Sequence, residues 1–305
     1  MCFENIGLLF LIRGAVFVCK VDGKTKLTGI IGYPLEYTLS PVMHNAAFQY
    51  MGLNWCYLPL VVEEADIYRA LDGLKALNFM GVNVTMPYKE AVMSFMDEMT
   101  SYAQIVGAVN TIHIQGERLV GYNTDGRGFI SSLQQDAKFD PRGKGALIVG
   151  AGGAARAVAV SLALAGSSRI IVVNRTPERA QSLCQLLQGN FPSCEVKAMG
   201  MEGDLSGAFS EVELVVNATP IGMDPEKKEV PISTDFLGGW HLVCDLIYKP
   251  VETNFLQLAG KRGAHTLGGL GMLLHQGAAS FEIWTNLDSP IKVMREALEK
   301  ELGLR

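Results

Sequence analysis

The chain has 305 residues, 49% of them hydrophobic and 19% charged, and a formal net charge of -5. That length suits two ordinary domains with a sizeable core, and the composition excludes a disordered or fibrous chain. A mildly acidic balance without a basic patch excludes nucleic acid as an expected partner.

In chain order, Ile6 to Val18 is apolar apart from Gly7, Arg13 and Gly14. The run is too short to span a membrane, and Met1-Cys2-Phe3-Glu4 lacks the positive start of a secretory signal. Residues 1–25 therefore read as an extension outside the fold, or equally as the result of a translation start assigned upstream of the true one. From Lys26 the pattern becomes regular. Leu27 to Ile31 reads as a strand, and Pro41 to Met51 as a helix with Ser40 as N-cap and proline in the first turn. Cys56 to Val61 is a strand, Glu63 to Leu77 a helix, Gly81 to Thr85 a strand, and Lys89 begins another helical stretch. Such alternation implies a largely parallel sheet with crossover helices.

A second series starts at Ala146. Ala146 to Val149 is a buried strand, Ala154 to Ala165 an alanine-rich helix ended by Gly166, and Arg169 to Val173 the next strand; Leu214 to Val216 and Val243 to Leu246 continue the set. The boundary falls between Asp125 and Arg142. The expected organisation is thus α/β with two domains: residues 26–125 carrying the substrate site, 126–269 forming a Rossmann-like nucleotide domain, and helices in 270–305 packing back on the first. The catalytic cleft is expected between the two domains.

Gly150-Ala151-Gly152-Gly153-Ala154-Ala155 fits G-x-G-x-x-A directly between a strand and a helix. Gly150 permits the tight turn, Gly152 lets backbone N–H groups approach a pyrophosphate, and Ala155 allows close helix-to-strand packing. An acid at the end of the second strand would bond a free ribose 2′-hydroxyl and repel a 2′-phosphate. The sequence instead reads Asn174-Arg175-Thr176-Pro177-Glu178-Arg179, which points to NADP(H). Six cysteines without a C-x-x-C pair and five histidines without ligand spacing give no metal site, and the thiols point to a reducing, cytoplasmic compartment.

The remaining motifs are polar. Thr38-Leu39-Ser40-Pro41-Val42-Met43-His44-Asn45 is followed by Asn83-Val84-Thr85 with Pro87 and Lys89, then Ala108-Val109-Asn110-Thr111 and Asn123-Thr124-Asp125. Asn217-Ala218-Thr219-Pro220-Ile221-Gly222-Met223 and Gly271-Met272-Leu273-Leu274-His275-Gln276 complete the series. One lysine, one carboxylate and several amides beside a dinucleotide fingerprint read as an oxidoreductase. In this order the motifs resemble the shikimate dehydrogenases, over nearly all the chain from Lys26 onward.

The resemblance implies reversible NADPH-dependent reduction of 3-dehydroshikimate to shikimate in aromatic amino-acid biosynthesis, by a monomer or homodimer acting on small molecules. It implies Lys89 as the catalytic group with Asp125 as partner. A lysine can supply both the proton and the positive charge that a developing alkoxide needs. Thr38, Ser40 and Tyr248 would hold the substrate carboxylate, while Asn83, Thr85, Asn110 and Gln276 join Asp125 around the ring hydroxyls, a task that suits amides as donor and acceptor in one. Cofactor contacts would come from Gly150, Ala151, Gly152, Gly153, Ala154, Asn174, Arg175, Thr176, Arg179, Thr219, Met223 and Gly269. Thr38 departs from the family's commoner serine, which keeps the hydroxyl and adds a methyl group. Two other readings stay open on these residues. One is a broader quinate/shikimate dehydrogenase, which Thr38 allows; the other is a non-enzymatic ligand sensor, against which intact Lys89 and Asp125 count.

Overall fold

Runs of β-branched and apolar residues, bounded by turn formers, become two six-stranded sheets. The computed structural model describes residues 8–12, 15–19, 21–202 and 204–305, with side chains from residue 21 on. Two units emerge, one of residues 1–104, 108–124 and 277–305, the other of 105–107 and 125–276.

In the first unit, β1 (Leu8–Ile12) and β2 (Ala15–Cys19) pair antiparallel as a separate two-stranded sheet. Of the expected N-terminal extension, residues 1–7, 13–14 and 20 fall outside the described residues. There follow β3 (Lys26–Gly32), α1 (Ser40–Tyr50), β4 (Trp55–Val61), α2 (Ile67–Ala76) and β5 (Phe79–Val84). Then come β6 (Glu98–Met99), α3 (Ser101–Val106), β7 (Thr111–Gln115) and β8 (Arg118–Tyr122). The sheet order is β4-β3-β5-β7-β8-β6. Ile31, Val82, Val84 and Ile112 are buried at its centre.

The sheet is largely parallel, as expected, with β7 the exception: β3 runs parallel to β4 and β5 and β6 to β8, but β7 is antiparallel to both β5 and β8. Gln115 pairs with Arg118 across a two-residue turn at Gly116 (φ 63°), and so tight a connection can only join antiparallel strands. Three sequence expectations need correction here. The N-cap of α1 is Leu39, whose carbonyl accepts from Val42 and Met43, so Ser40 is already helical. The stretch from Glu63 divides into a 3-10 turn over Glu64–Asp66 and α2. Lys89 begins no α-helix. Its carbonyl accepts from the Val109 N–H at 2.8 Å, which removes it from any helical ladder, and only a 3-10 turn forms over Ala91–Phe95.

The second unit contains α4 (Asp125–Gln135), β9 (Gly145–Val149), α5 (Gly153–Leu164), β10 (Arg169–Asn174), α6 (Pro177–Asn190) and β11 (Glu195–Gly200). It continues through α7 (Ser206–Ser210), β12 (Leu214–Asn217), β13 (Leu242–Asp245), α8 (Asn254–Lys261) and β14 (His265–Leu267) to α9 (Leu270–Thr285). The all-parallel order β11-β10-β9-β12-β13-β14 is a Rossmann-like sheet. Its four inner strands, β9, β10, β12 and β13, are largely apolar runs because both faces are covered, with Leu147, Ile171, Val215 and Val243 fully buried.

The return to the first unit begins at Gly277, inside α9, rather than at Leu270. A side chain at Gly271 would collide with Ser132 and Asp136, and one at Gly128 with the Gln276 backbone, so paired glycines let the first turns of α9 lie against α4. The last helix, α10 (Ile291–Glu301), packs on α1. Among the described residues, no helix is long and apolar enough to cross a membrane.

Candidate active site

On the first unit the polar motifs cluster at the carboxyl ends of β3 and β5. Asn83 is only 4% exposed, and both ends of its amide are hydrogen-bonded. The Tyr57 hydroxyl donates to Oδ1 at 2.8 Å, while Nδ2 donates to the Asn110 carbonyl, Thr111 Oγ1 and Ser280 Oγ at 2.9–3.2 Å. Asn110 is the second node. Its Oδ1 accepts from the Thr124 N–H at 2.7 Å and its Nδ2 donates to Thr124 Oγ1 at 2.9 Å. Ser280 lies within 2.8 Å of Thr111 Oγ1, so α9 joins a knot built by β5, β7 and the Asn123-Thr124 segment. Burying so many amides and hydroxyls is tolerable only because they satisfy one another.

Around that knot, Ser40 is buried in the first turn of α1, and the Thr38 hydroxyl accepts from its N–H at 3.4 Å. Thr85 follows β5, its N–H donating to the Ile31 carbonyl. Lys89 is half-buried in the turn that Tyr88 anchors by donating its hydroxyl to the Val62 carbonyl at 2.6 Å. The structure thus brings Thr38, Ser40, Asn83, Thr85, Lys89 and Asn110 into one unit, whereas Asp125, Tyr248 and Gln276 belong to the other. Asp125 is buried at the start of α4. Gln276 is nearly buried and donates its amide to the Leu273 carbonyl. Burial holds the Tyr248 phenol above its usual pKa, which keeps it a neutral donor.

On the second unit, Gly150 leaves β9 at φ 115°, a conformation only glycine adopts readily. A Cβ there would stand 3.0 Å from the Ala218 carbonyl oxygen, so the same glycine lets the Asn217–Met223 segment pass close by. Gly152 is the N-cap of α5 with no side-chain cap, and a Cβ there would meet nothing within 4 Å. No side chain of the N-cap residue covers the first N–H groups of α5, which suits an anionic pyrophosphate. Ala151 is buried, Gly153 and Ala154 are half-buried, and Ala155 is fully buried against the sheet. At the end of β10, the Asn174 amide donates to the Thr176 carbonyl, and Arg175, Thr176 and Arg179 are all exposed. That donor set fits a 2′-phosphate.

Asp245, at the end of β13, was not anticipated. Its buried carboxylate accepts from Asn217 Nδ2 at 3.0 Å, the Ile247 N–H at 3.1 Å and Thr253 Oγ1 at 2.7 Å. Desolvation raises its pKa while those three donors oppose the rise. Asn217 in turn accepts the Thr219 hydroxyl at 2.7 Å. One carboxylate thereby organises the loop carrying Thr219 and half-exposed Met223 together with the segment leading to Tyr248. Gly269 donates to the Ile247 carbonyl, and a side chain there would strike the Leu246 carbonyl. Among the described residues no group of His, Cys, Asp and Glu is placed to hold a metal ion.

Family models match both units: a shikimate dehydrogenase substrate-binding domain over residues 30–112, a shikimate/quinate 5-dehydrogenase domain over 133–221 and a shikimate 5′-dehydrogenase C-terminal domain over 269–299. The NADP(+) shikimate dehydrogenase of Desulforamulus reducens is 48% identical over 287 residues, 93% of this chain and 98% of that one. The chain belongs to the shikimate dehydrogenase family. A solved shikimate dehydrogenase in complex with NADP+ superposes with a TM-score of 0.85 at 41% identity, covering 92% of this chain and 97% of that one. The Listeria monocytogenes shikimate 5-dehydrogenase, in complex with shikimate and NAD, also gives 0.85, at 36% identity over 92% and 98% of the two chains.

Within this family member, sequence reasoning quoted Thr111, Thr124, His44 and Asn45 without giving them a task, and it passed over Tyr57, Ser280 and Asp245. Ser280 carried one usable signal, a hydroxyl between Ala279 and Phe281 in the middle of a largely apolar helix.

Proposed function

We propose that this chain catalyses the reversible NADPH-dependent reduction of 3-dehydroshikimate to shikimate, with Lys89 and Asp125 handling the proton. It is an oxidoreductase of aromatic biosynthesis. The observation that carries the reading is the buried amide and hydroxyl knot around Asn83 and Asn110, an array suited to a polyhydroxylated ring, in the unit that holds Lys89.

When bound, NADPH supplies the hydride to the substrate's carbonyl carbon. The carbonyl oxygen then takes a proton from Lys89 and becomes the hydroxyl of shikimate; in reverse Lys89 accepts that proton as hydride leaves. Asp125 holds one ring hydroxyl in place. Thr38, Ser40 and Tyr248 bind the ring carboxylate through neutral hydroxyls, and Thr85 and Gln276 add hydroxyl contacts. Gly150, Gly152 and the first turn of α5 hold the pyrophosphate, Arg175, Thr176 and Arg179 the 2′-phosphate, and Thr219, Met223 and Gly269 the nicotinamide end. Described thiols at Cys184, Cys194 and Cys244 are free and buried, which supports a cytoplasmic location.

Kinetics of Lys89→Ala test the assignment. Turnover is expected to fall by about 10² or more with little change in the shikimate KM. Retained turnover would remove Lys89 from the mechanism.

A further inference from the structure

The His44-Asn45 pair ends the first polar motif, yet no substrate role falls to it. Both side chains serve Tyr57. Asn45 grips the Tyr57 backbone from both sides, its Oδ1 accepting the Tyr57 N–H at 2.8 Å and its Nδ2 donating to the Tyr57 carbonyl at 3.0 Å. His44 stacks on the Tyr57 ring with centroids 4.4 Å apart and planes 3° from parallel. The imidazole is fully buried, neither nitrogen has a hydrogen-bond partner among the described residues, and Trp284 closes its surroundings at 5.5 Å. Gly277 leaves room for it, since a Cβ there would strike Met43 and approach His44 Nε2 to 3.4 Å. His44 therefore acts as a flat surface rather than as an acid or base.

Held in this way, Tyr57 donates its hydroxyl to Asn83 Oδ1 at 2.8 Å. The opposite end of that amide faces the Asn110 carbonyl, which can only accept, so Nδ2 must point there. Three internal acceptors share its two N–H donors. Asn83 can thus offer a ring hydroxyl only the second lone pair of Oδ1. We propose that His44, Asn45 and Tyr57 are positioning residues that fix Asn83 as a hydrogen-bond acceptor toward a donating hydroxyl of the substrate. The inference rests on Asn83 being a substrate contact, as in the proposed function.

Steady-state kinetics of Tyr57→Phe, Asn83→Ala and the double variant test it. Tyr57→Phe raises the shikimate KM about five- to tenfold and leaves the NADP KM in place, which general loss of structure would not do. The double variant matches Asn83→Ala alone on the shikimate KM, because Tyr57 acts through Asn83. His44→Ala raises the same constant, and His44→Phe, which keeps a flat ring over Tyr57, restores most of it. An unchanged KM in Tyr57→Phe, additive effects in the double variant, or collapse of kcat in His44→Phe would overturn the proposal. An Asn83→Ala enzyme with an unchanged shikimate KM would instead remove the substrate role of Asn83, and the inference with it.

Discussion

Replacing His44 by Phe should change how stability depends on pH more than it changes stability itself. Burial in the first unit pushes the imidazole pKa down from 6.5 to about 3, with desolvation as the cause. The folded protein keeps His44 neutral, while in the unfolded chain it binds a proton as the pH falls through 6.5. Stability is therefore present above that value and is lost progressively toward the folded pKa, with a slope approaching about 1.4 kcal/mol per pH unit. Between pH 7 and pH 4 the native protein loses about 3 kcal/mol through this group alone. In His44→Phe that loss disappears, whereas the carboxylates titrate equally in both proteins and cancel in the difference. Urea unfolding across this range, followed by tryptophan fluorescence, reads the effect, since Trp284 lies 5.5 Å from His44. Curves for the two proteins that stay parallel down to pH 4 would refute the buried, neutral imidazole.

Arg175→Asp should shift preference from NADP toward NAD, because the exposed guanidinium at the end of β10 is replaced by a carboxylate that repels a 2′-phosphate; an unchanged ratio of kcat/KM for the two cofactors would contradict this. Gly150→Ala should destabilise the protein by about 1–3 kcal/mol and weaken NADP binding, given φ 115° and the 3.0 Å approach to the Ala218 carbonyl, as thermal unfolding and cofactor titration would show. Asp245→Ala leaves three buried donors without their acceptor and should cost about 2–4 kcal/mol in urea unfolding while raising the NADP KM through the loosened Met223 loop.

What the sequence made legible follows from how local each signal is. The phosphate loop was readable because strand, glycines and helix are contiguous, and its one positive φ falls on Gly150. The missing acid after β10 was readable for the same reason. The turn at Lys89 was not, because the bond that stops a helix there comes from Val109 across the fold. The antiparallel β7 hid among short alternating runs, and only the Gly116 turn reveals it. Ser280 stands 197 positions from its partner Asn83, and Asp245 meets Asn217 across 28, so pairings of that range leave no local trace. Tyr57 read as an ordinary aromatic in a strand; its role appears only when His44, Asn45 and Asn83 are seen around it.

The central claim is oxidation and reduction of shikimate with NADP, and the most direct measurement follows the near-ultraviolet absorbance of the reduced cofactor. Purified protein would be given shikimate or quinate with NADP or NAD, all four combinations in parallel. Rapid reduction with shikimate and NADP, and far slower reduction in the other three, is the predicted result. Comparable turnover of quinate would contradict the narrow specificity, and binding of cofactor without turnover in any combination would contradict the enzyme itself.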